Sequence, residues 1–190
     1  MKAVMLAAGV GGRLYGDDSN DPPKALLRFD GKTLLARNIE ILRNNGVEEL
    51  VLIVGHRKVF DMGREVAGIS TDLPSFSDIE EAIASPEPVV FHHYDKLIYG
   101  DIPVGVTTAQ AGEADYRIGC YAADLSRAGL IDAFCWAPVN KGSIHKAGYH
   151  YEGYKAGIAA YMGFTQRSTE INTIGHLWTT RVTSHIPISQ

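Results

Sequence analysis

Hydrophobic positions come first as short unbroken runs and only later at helical spacing, and this order outlines the fold. Ala3-Val4-Met5-Leu6 is a continuous apolar run closed by glycines, as expected of a buried parallel strand. From Thr33 to Asn45, the apolar residues Leu34, Leu35, Ile39, Ile41 and Leu42 recur at helical spacing. Thr33 is placed to cap that helix and Asn45-Gly46 to stop it. Leu50 to Val54 is a second continuous run. Strand, loop, helix and strand in this order make a βαβ unit, whose crossover is expected to be right-handed.

Beyond residue 58 the texture changes. Prolines interrupt residues 61–107, which carry short runs such as Val89-Val90-Phe91. A long helical pattern then spans 108–128, with Ile118, Tyr121, Ala122 and Leu125 on one stripe and Gly129 just past its end. Ile131 to Trp136 reads as a buried strand, leading through Ala137-Pro138-Val139-Asn140-Lys141 to a short helix. A helix from Tyr154 to Met162 and a last strand around Arg181 to Ser184 complete the pattern. The predicted class is α/β: a three-layer αβα arrangement with a mostly parallel sheet. A Rossmann-like βαβ unit over 1–58 is joined to a second α/β segment over 59–190, and the two can pack as one continuous domain. Ligands in such sheets sit beyond the carboxyl ends of the strands.

Bulk composition narrows the partners. The 190 residues are 45% hydrophobic and 21% charged, with formal net charge −4, so no basic footprint for nucleic acid is present. No apolar run approaches the roughly 20 residues of a membrane-spanning helix, and no signal-peptide layout opens the chain. The expected location is cytoplasmic. Cys120 and Cys135 lack metal or redox spacing and read as buried reduced thiols.

The first chemical constellation is Leu6-Ala7-Ala8-Gly9-Val10-Gly11-Gly12-Arg13-Leu14, followed by Pro23-Lys24-Ala25-Leu26-Leu27. Glycines at a strand end let backbone N–H groups approach an anion, while Arg13 and Lys24 supply the charge a triphosphate requires. A Walker A loop is excluded, because Gly12-Arg13-Leu14 replaces its Gly-Lys-Ser/Thr. A dinucleotide fingerprint is excluded because Leu14 stands where its third glycine belongs. Residues 1–57 resemble the N-terminal part of MobA-like and sugar-phosphate nucleotidyltransferases. That resemblance implies nucleotide-phosphate contacts at Ala8, Gly9, Gly11, Arg13 and Lys24, and an NTP bound with Mg²⁺. The family's metal aspartate should end a later strand. Asp95, Asp101 and Asp132 are the candidates, and none follows an apolar run in the expected pattern.

The second constellation joins the Asn140-Lys141 pair, Ala147-Gly148-Tyr149-His150-Tyr151-Glu152-Gly153-Tyr154, and Ser184-His185-Ile186-Pro187. A histidine that ends a strand before a proline suits a metal ligand or proton carrier. Residues 59–190 resemble the 4-hydroxythreonine-4-phosphate dehydrogenase (PdxA) family, with its A-P-x-N-K, G-H-T-E and T-H-x-P segments. Ser77-Asp78-Ile79 and Ile102-Pro103-Val104-Gly105 match its upstream text. The resemblance implies a phosphorylated small-molecule substrate, NAD as hydride acceptor and a divalent metal (Zn, Mg or Mn). It makes Asn140 and Lys141 the catalytic candidates, His185 a metal ligand, and a homodimer a compatible assembly. Gly153-Tyr154-Lys155-Ala156 replaces G-H-T-E, so a tyrosine stands in the histidine position and His150 is the substitute ligand. The family's third metal histidine has no counterpart between His185 and residue 190.

Three readings follow: a PdxA-type dehydrogenase incomplete as an isolated chain, a nucleotidyltransferase, and a non-catalytic α/β chain that binds phosphate ligands. His92, His93, His145 and His176 read as surface or core-edge histidines, Trp136 and Trp178 as core or cleft-wall aromatics, and Glu80-Glu81 as a solvated helix face.

Overall fold

The computed structural model describes residues 2–6, 28–46, 50–70, 72–96, 103, 105–137, 139–166 and 169–182, with backbone alone at 2–6, 35, 50 and 66. The strands are β1 (Lys2–Leu6), β2 (Arg28–Phe29), β3 (Lys32–Thr33), β4 (Leu50–Gly55), β5 (Ser75–Phe76), β6 (Val89–His93), β7 (Ala133–Trp136), β8 (Ile171–Ile174) and β9 (Leu177–Thr180). The helices are α1 (Leu34–Asn44), α2 (Arg57–Val66), α3 (Ile79–Ala84), α4 (Ala109–Arg127), α5 (Lys141–Lys146) and α6 (Tyr154–Tyr161).

Five strands form one parallel sheet in the order β5-β6-β4-β1-β7. β4 is central because its run of aliphatic residues can be covered on both faces. Val51, Leu52, Ile53 and Val54 are essentially solvent-free, as are Val90 and Phe91 of β6 beside them. Strands from both sides of residue 58 therefore share one sheet, with β1 pairing on one side with β4 and on the other with β7.

The sequence placed α1, α4 and α6 to within a residue or two. Thr33 caps α1 through its side-chain oxygen, and Thr108 caps α4 in the same way. Gly129 takes the left-handed conformation that ends α4, with φ 71°. α4 is buried on two faces, more than a single stripe predicts. Ala114, Ile118, Ala122 and Leu125 pack on the sheet with Leu52, Val54 and Val90. Tyr116, Cys120 and Ala123 pack instead with Ile144, Tyr154 and Ile158 of α5 and α6. The second packing needs glycine at Gly112, where a Cβ would lie 1.9 Å from the Ser143 carbonyl oxygen, and at Gly119, where it would meet the Tyr154 hydroxyl at 2.1 Å.

Two expectations at the C-terminal side change. The strand expected at 131–136 begins at Ala133 and is half-exposed, not buried, because it is an edge strand of the sheet among the described residues. In place of a strand at Arg181, an antiparallel hairpin pairs Ile171–Ile174 with Leu177–Thr180, turning through Gly175 at φ 57°. Arg181 and Val182 lie outside it, and Ser184 lies outside the described residues. Trp178 sits on this hairpin 70% exposed, so it is neither core nor cleft wall. Among the described residues no helix is long and apolar enough to cross a membrane.

Candidate functional site

The carboxyl ends of β1 and β7 are neighbours, with Leu6 in register with Trp136. The segment carrying Ala8, Gly9, Gly11, Arg13 and Lys24 follows Leu6 in the sequence, and Ala137 to Lys141 follows Trp136. The chain passes from β1 to β4 on one side and returns through β6 to β7 on the other, which makes this edge a topological switch point. In open α/β sheets that is where a ligand crevice forms. Ala8, Gly9, Gly11, Arg13, Lys24 and His185 themselves lie outside the described residues.

Asn140 ends the β7 loop as the cap of α5. Its Oδ1 accepts the Ser143 N–H at 3.2 Å, and its Nδ2 donates to Thr107 Oγ1 at 3.3 Å. Both ends of the amide are thus committed to protein partners. Lys141 opens α5 on the exposed side, and a Cβ at Gly153 would lie 3.9 Å from its Nζ. The ammonium therefore rests against the Gly153-Tyr154 turn, so the A-P-x-N-K segment meets the position where the family carries histidine. Between them is a pocket of about 10 Å³ lined by Tyr116, Lys141, His145, Tyr151 and Tyr154, room for about one water molecule.

Tyr154 fills the histidine position as a core residue. It is 7% exposed, donates its hydroxyl to the Asp115 carbonyl oxygen at 2.7 Å, and lies 5.3 Å from the Trp136 ring. Burial drives its phenol pKa far up, so it stays protonated and offers no anionic ligand. Tyr116 donates to the Gly157 carbonyl at 3.2 Å and stacks on Tyr149 with centroids 3.9 Å apart.

Sequence reasoning missed Asp115. It faces the small-residue side of α4, 4% exposed, and burial pushes its carboxyl up to about 8. A hydrogen bond from the Asn140 backbone N–H favours the charged form but is outweighed. A carboxyl whose burial favours its neutral form therefore underlies the Asn140-Lys141 loop. The signal available was an aspartate between Gly112 and Gly119 at helical spacing, on a face too narrow for a solvated side chain.

The expected metal ligands do not come together in the part of the molecule described. His150 lies beside His145, ring centroids 5.7 Å apart, and His145 is engaged with the Tyr151 carbonyl. Among the described residues no group of three His, Cys, Asp or Glu side chains is arranged to hold a metal ion. With a phenol in the histidine position and space for a single water beside it, the described residues do not fit a catalytic metal. Both cysteines are free, Cys120 buried and Cys135 half-buried, and burial pushes the Cys120 thiol up to about 11. His92 is a core residue. It is 3% exposed, with one ring nitrogen bonded to the Phe76 carbonyl and the other to the Tyr121 hydroxyl at 2.9 Å. His93 accepts the Arg57 backbone N–H. Glu80 and Glu81 are exposed in the first turn of α3, where Asp78 accepts their backbone N–H groups.

The sheet order and the helices flanking it define a doubly wound α/β protein. The chain belongs to the PdxA family: the profile described as pyridoxal phosphate biosynthetic protein PdxA matches residues 47–190. A second profile, the MobA-like NTP transferase domain, matches residues 3–86. The nucleotidyltransferase likeness therefore runs past residue 57 through α3. The two matches overlap over residues 47–86, the stretch that holds β4, α2, β5 and α3.

The putative 4-hydroxythreonine-4-phosphate dehydrogenase 2 of Rhizobium meliloti is 32% identical over 138 residues, covering 73% of this chain and 40% of that protein. The choline-phosphate cytidylyltransferase of Streptococcus pneumoniae is 41% identical over 70 residues, covering 36% of this chain and 30% of that protein. Among solved structures, a 4-hydroxythreonine-4-phosphate dehydrogenase from Burkholderia phymatum superposes with a TM-score of 0.69 at 25% identity, covering 99% of this chain and 51% of that one. The chain thus spans about half or less of the dehydrogenases it matches.

Proposed function

We propose that the chain carries the substrate-binding part of a PdxA-type dehydrogenase of phosphorylated hydroxy acids, and that as an isolated chain it binds these ligands better than it turns them over. The observation that carries this reading is the pairing of β1 with β7, which starts both motif-bearing loops from one edge of the sheet. When bound there, NAD would supply the hydride acceptor. Gly9, Gly11, Arg13 and Lys24, with the backbone at Ala8, would hold the phosphates of a bound nucleotide, as the nucleotidyltransferase likeness implies. Lys141, whose ammonium lies against the Gly153-Tyr154 turn, would bind the substrate's anionic end and stabilise charge at its hydroxyl oxygen. Asn140, its amide already committed, acts as a positioning residue that fixes the start of α5. No step is routed through a metal, since the described residues do not assemble one. We also place both segments in one continuous domain, on the support of the shared sheet.

Calorimetry tests the reading with 4-hydroxythreonine 4-phosphate and D-threonate 4-phosphate, substrates named in the relatives. Saturable binding weakened about tenfold by Lys141→Gln is expected, worth about 1.4 kcal/mol. Absence of binding by either compound would sink it. Hydride transfer fails separately if neither compound gives reduced cofactor with NAD and Mn²⁺ or Zn²⁺.

A second reading, transfer of NMP from an NTP to a phosphorylated acceptor, is favoured by one structural observation beyond the MobA-like match. Asp95 lies two residues past the end of β6, beyond the carboxyl end of a buried parallel strand, where a metal aspartate belongs. The sequence pattern alone did not show this, because His92, His93 and Tyr94 separate Asp95 from the apolar run. Pyrophosphate release from CTP and phosphocholine, lost in Asp95→Asn, would establish it.

A further inference from the structure

We propose that a cationic cleft on the outer side of α4, separate from the Lys141-Tyr154 pocket, binds the phosphate group of a small phosphomonoester. The cleft has a volume of about 460 Å³, the size of a small-molecule site. Its charged walls come from three elements: Lys96 just beyond β6, Glu113 and Arg117 on α4, and Lys146 at the end of α5. Three cations against one carboxylate leave an excess of two positive charges on a chain whose net charge is −4. A local excess of this kind selects a dianion irrespective of the global charge.

Two of the cations are held in place before any ligand arrives. Arg117 is paired through its Nε with Glu113, which leaves the guanidinium's terminal nitrogens for a second acceptor. Lys146 donates to the Thr107 carbonyl at 2.9 Å, using one of its three protons and keeping two. Gln110 adds a side-chain amide to the same wall. A phosphate monoester carries up to two charges and several acceptor oxygens, matching two lysines and an arginine better than a monocarboxylate does.

The cleft is linked to the β7 loop through Lys146 and Thr107. Thr107 receives Lys146 on its carbonyl and the Asn140 amide on its hydroxyl. Drawing Lys146 toward an anion would therefore act on the residue that steadies Asn140. The site stands on geometry independent of the dehydrogenase reading.

Titration of the full chain with inorganic phosphate and glycerol 3-phosphate, followed by amide chemical shifts, tests the proposal. The expected result is saturable binding with shifts centred on Lys96, Gln110, Glu113, Arg117 and Lys146. Lys96→Gln with Lys146→Gln should weaken it about tenfold or more, whereas Arg13→Ala with Lys24→Ala should leave these shifts intact. Absence of saturable binding, shifts confined to the glycine-rich segment, or unchanged affinity in the double glutamine variant would each overturn it. If that variant does not fold, the wild-type shift pattern alone decides.

Discussion

Replacing Asp115 by Asn should change how stability depends on pH more than it changes the fold. The buried carboxyl has its pKa pushed up to about 8, against 3.8 in the unfolded chain. Between these values the folded protein holds a proton that the unfolded chain has released, so wild-type stability falls as pH rises. Each pH unit in that interval removes about 1.4 kcal/mol, or about 4 kcal/mol between pH 5 and 8. That is a large share of the roughly 5–15 kcal/mol that holds a typical domain together. Asparagine keeps the volume and an oxygen for the Asn140 N–H and has no proton to release. Urea denaturation of both proteins at unit pH intervals, followed by circular dichroism, isolates the group, because other titrations cancel in the difference. The variant should gain on the wild type steadily from pH 5, with the gain levelling off above about 8. A difference that stays flat across this range would refute the neutral buried acid.

Gly112→Ala should cost about 2–4 kcal/mol, because a Cβ 1.9 Å from the Ser143 carbonyl forces α4 and α5 apart; thermal unfolding measures it. His92, whose pKa burial lowers, contributes stability that is intact above the unfolded value of 6.5 and is lost as pH falls toward its folded value. His92→Gln should therefore flatten the acid side of the stability curve, as read by denaturation between pH 4 and 8. Asn140→Ala should cost about 1–2 kcal/mol through the lost cap and should weaken ligand binding at Lys141, whereas Asn140→Asp should restore the cap. Calorimetry alongside denaturation separates the two effects.

Much of this architecture was legible because continuous apolar runs and capped amphipathic stretches are local signals. Leu50–Val54 announced a strand, and Thr33 and Gly129 announced helix ends that the structure keeps. What escaped was set by distant contacts. The edge position of β7 depends on which strands flank β1, and nothing within Ala133–Trp136 encodes that. The second buried face of α4 depends on glycines whose need appears only when α5 and α6 arrive. Asp115 drew no notice in the sequence, because it is that packed face that buries it. The two family matches overlap across residue 58, with β4 inside both, so resemblance alone draws no sharp boundary there.

The segments following β1 and β7 are proposed to form one nucleotide-bearing crevice. A thermal-shift comparison of NAD with CTP, ATP and GTP on the wild type, Arg13→Ala and Lys141→Gln tests it most directly. Stabilisation by NAD is expected, about 2.7 kcal/mol at a hundredfold excess over Kd, with both variants reducing it. Stabilisation by CTP, ATP or GTP without any by NAD, or an NAD effect untouched by both substitutions, would contradict it.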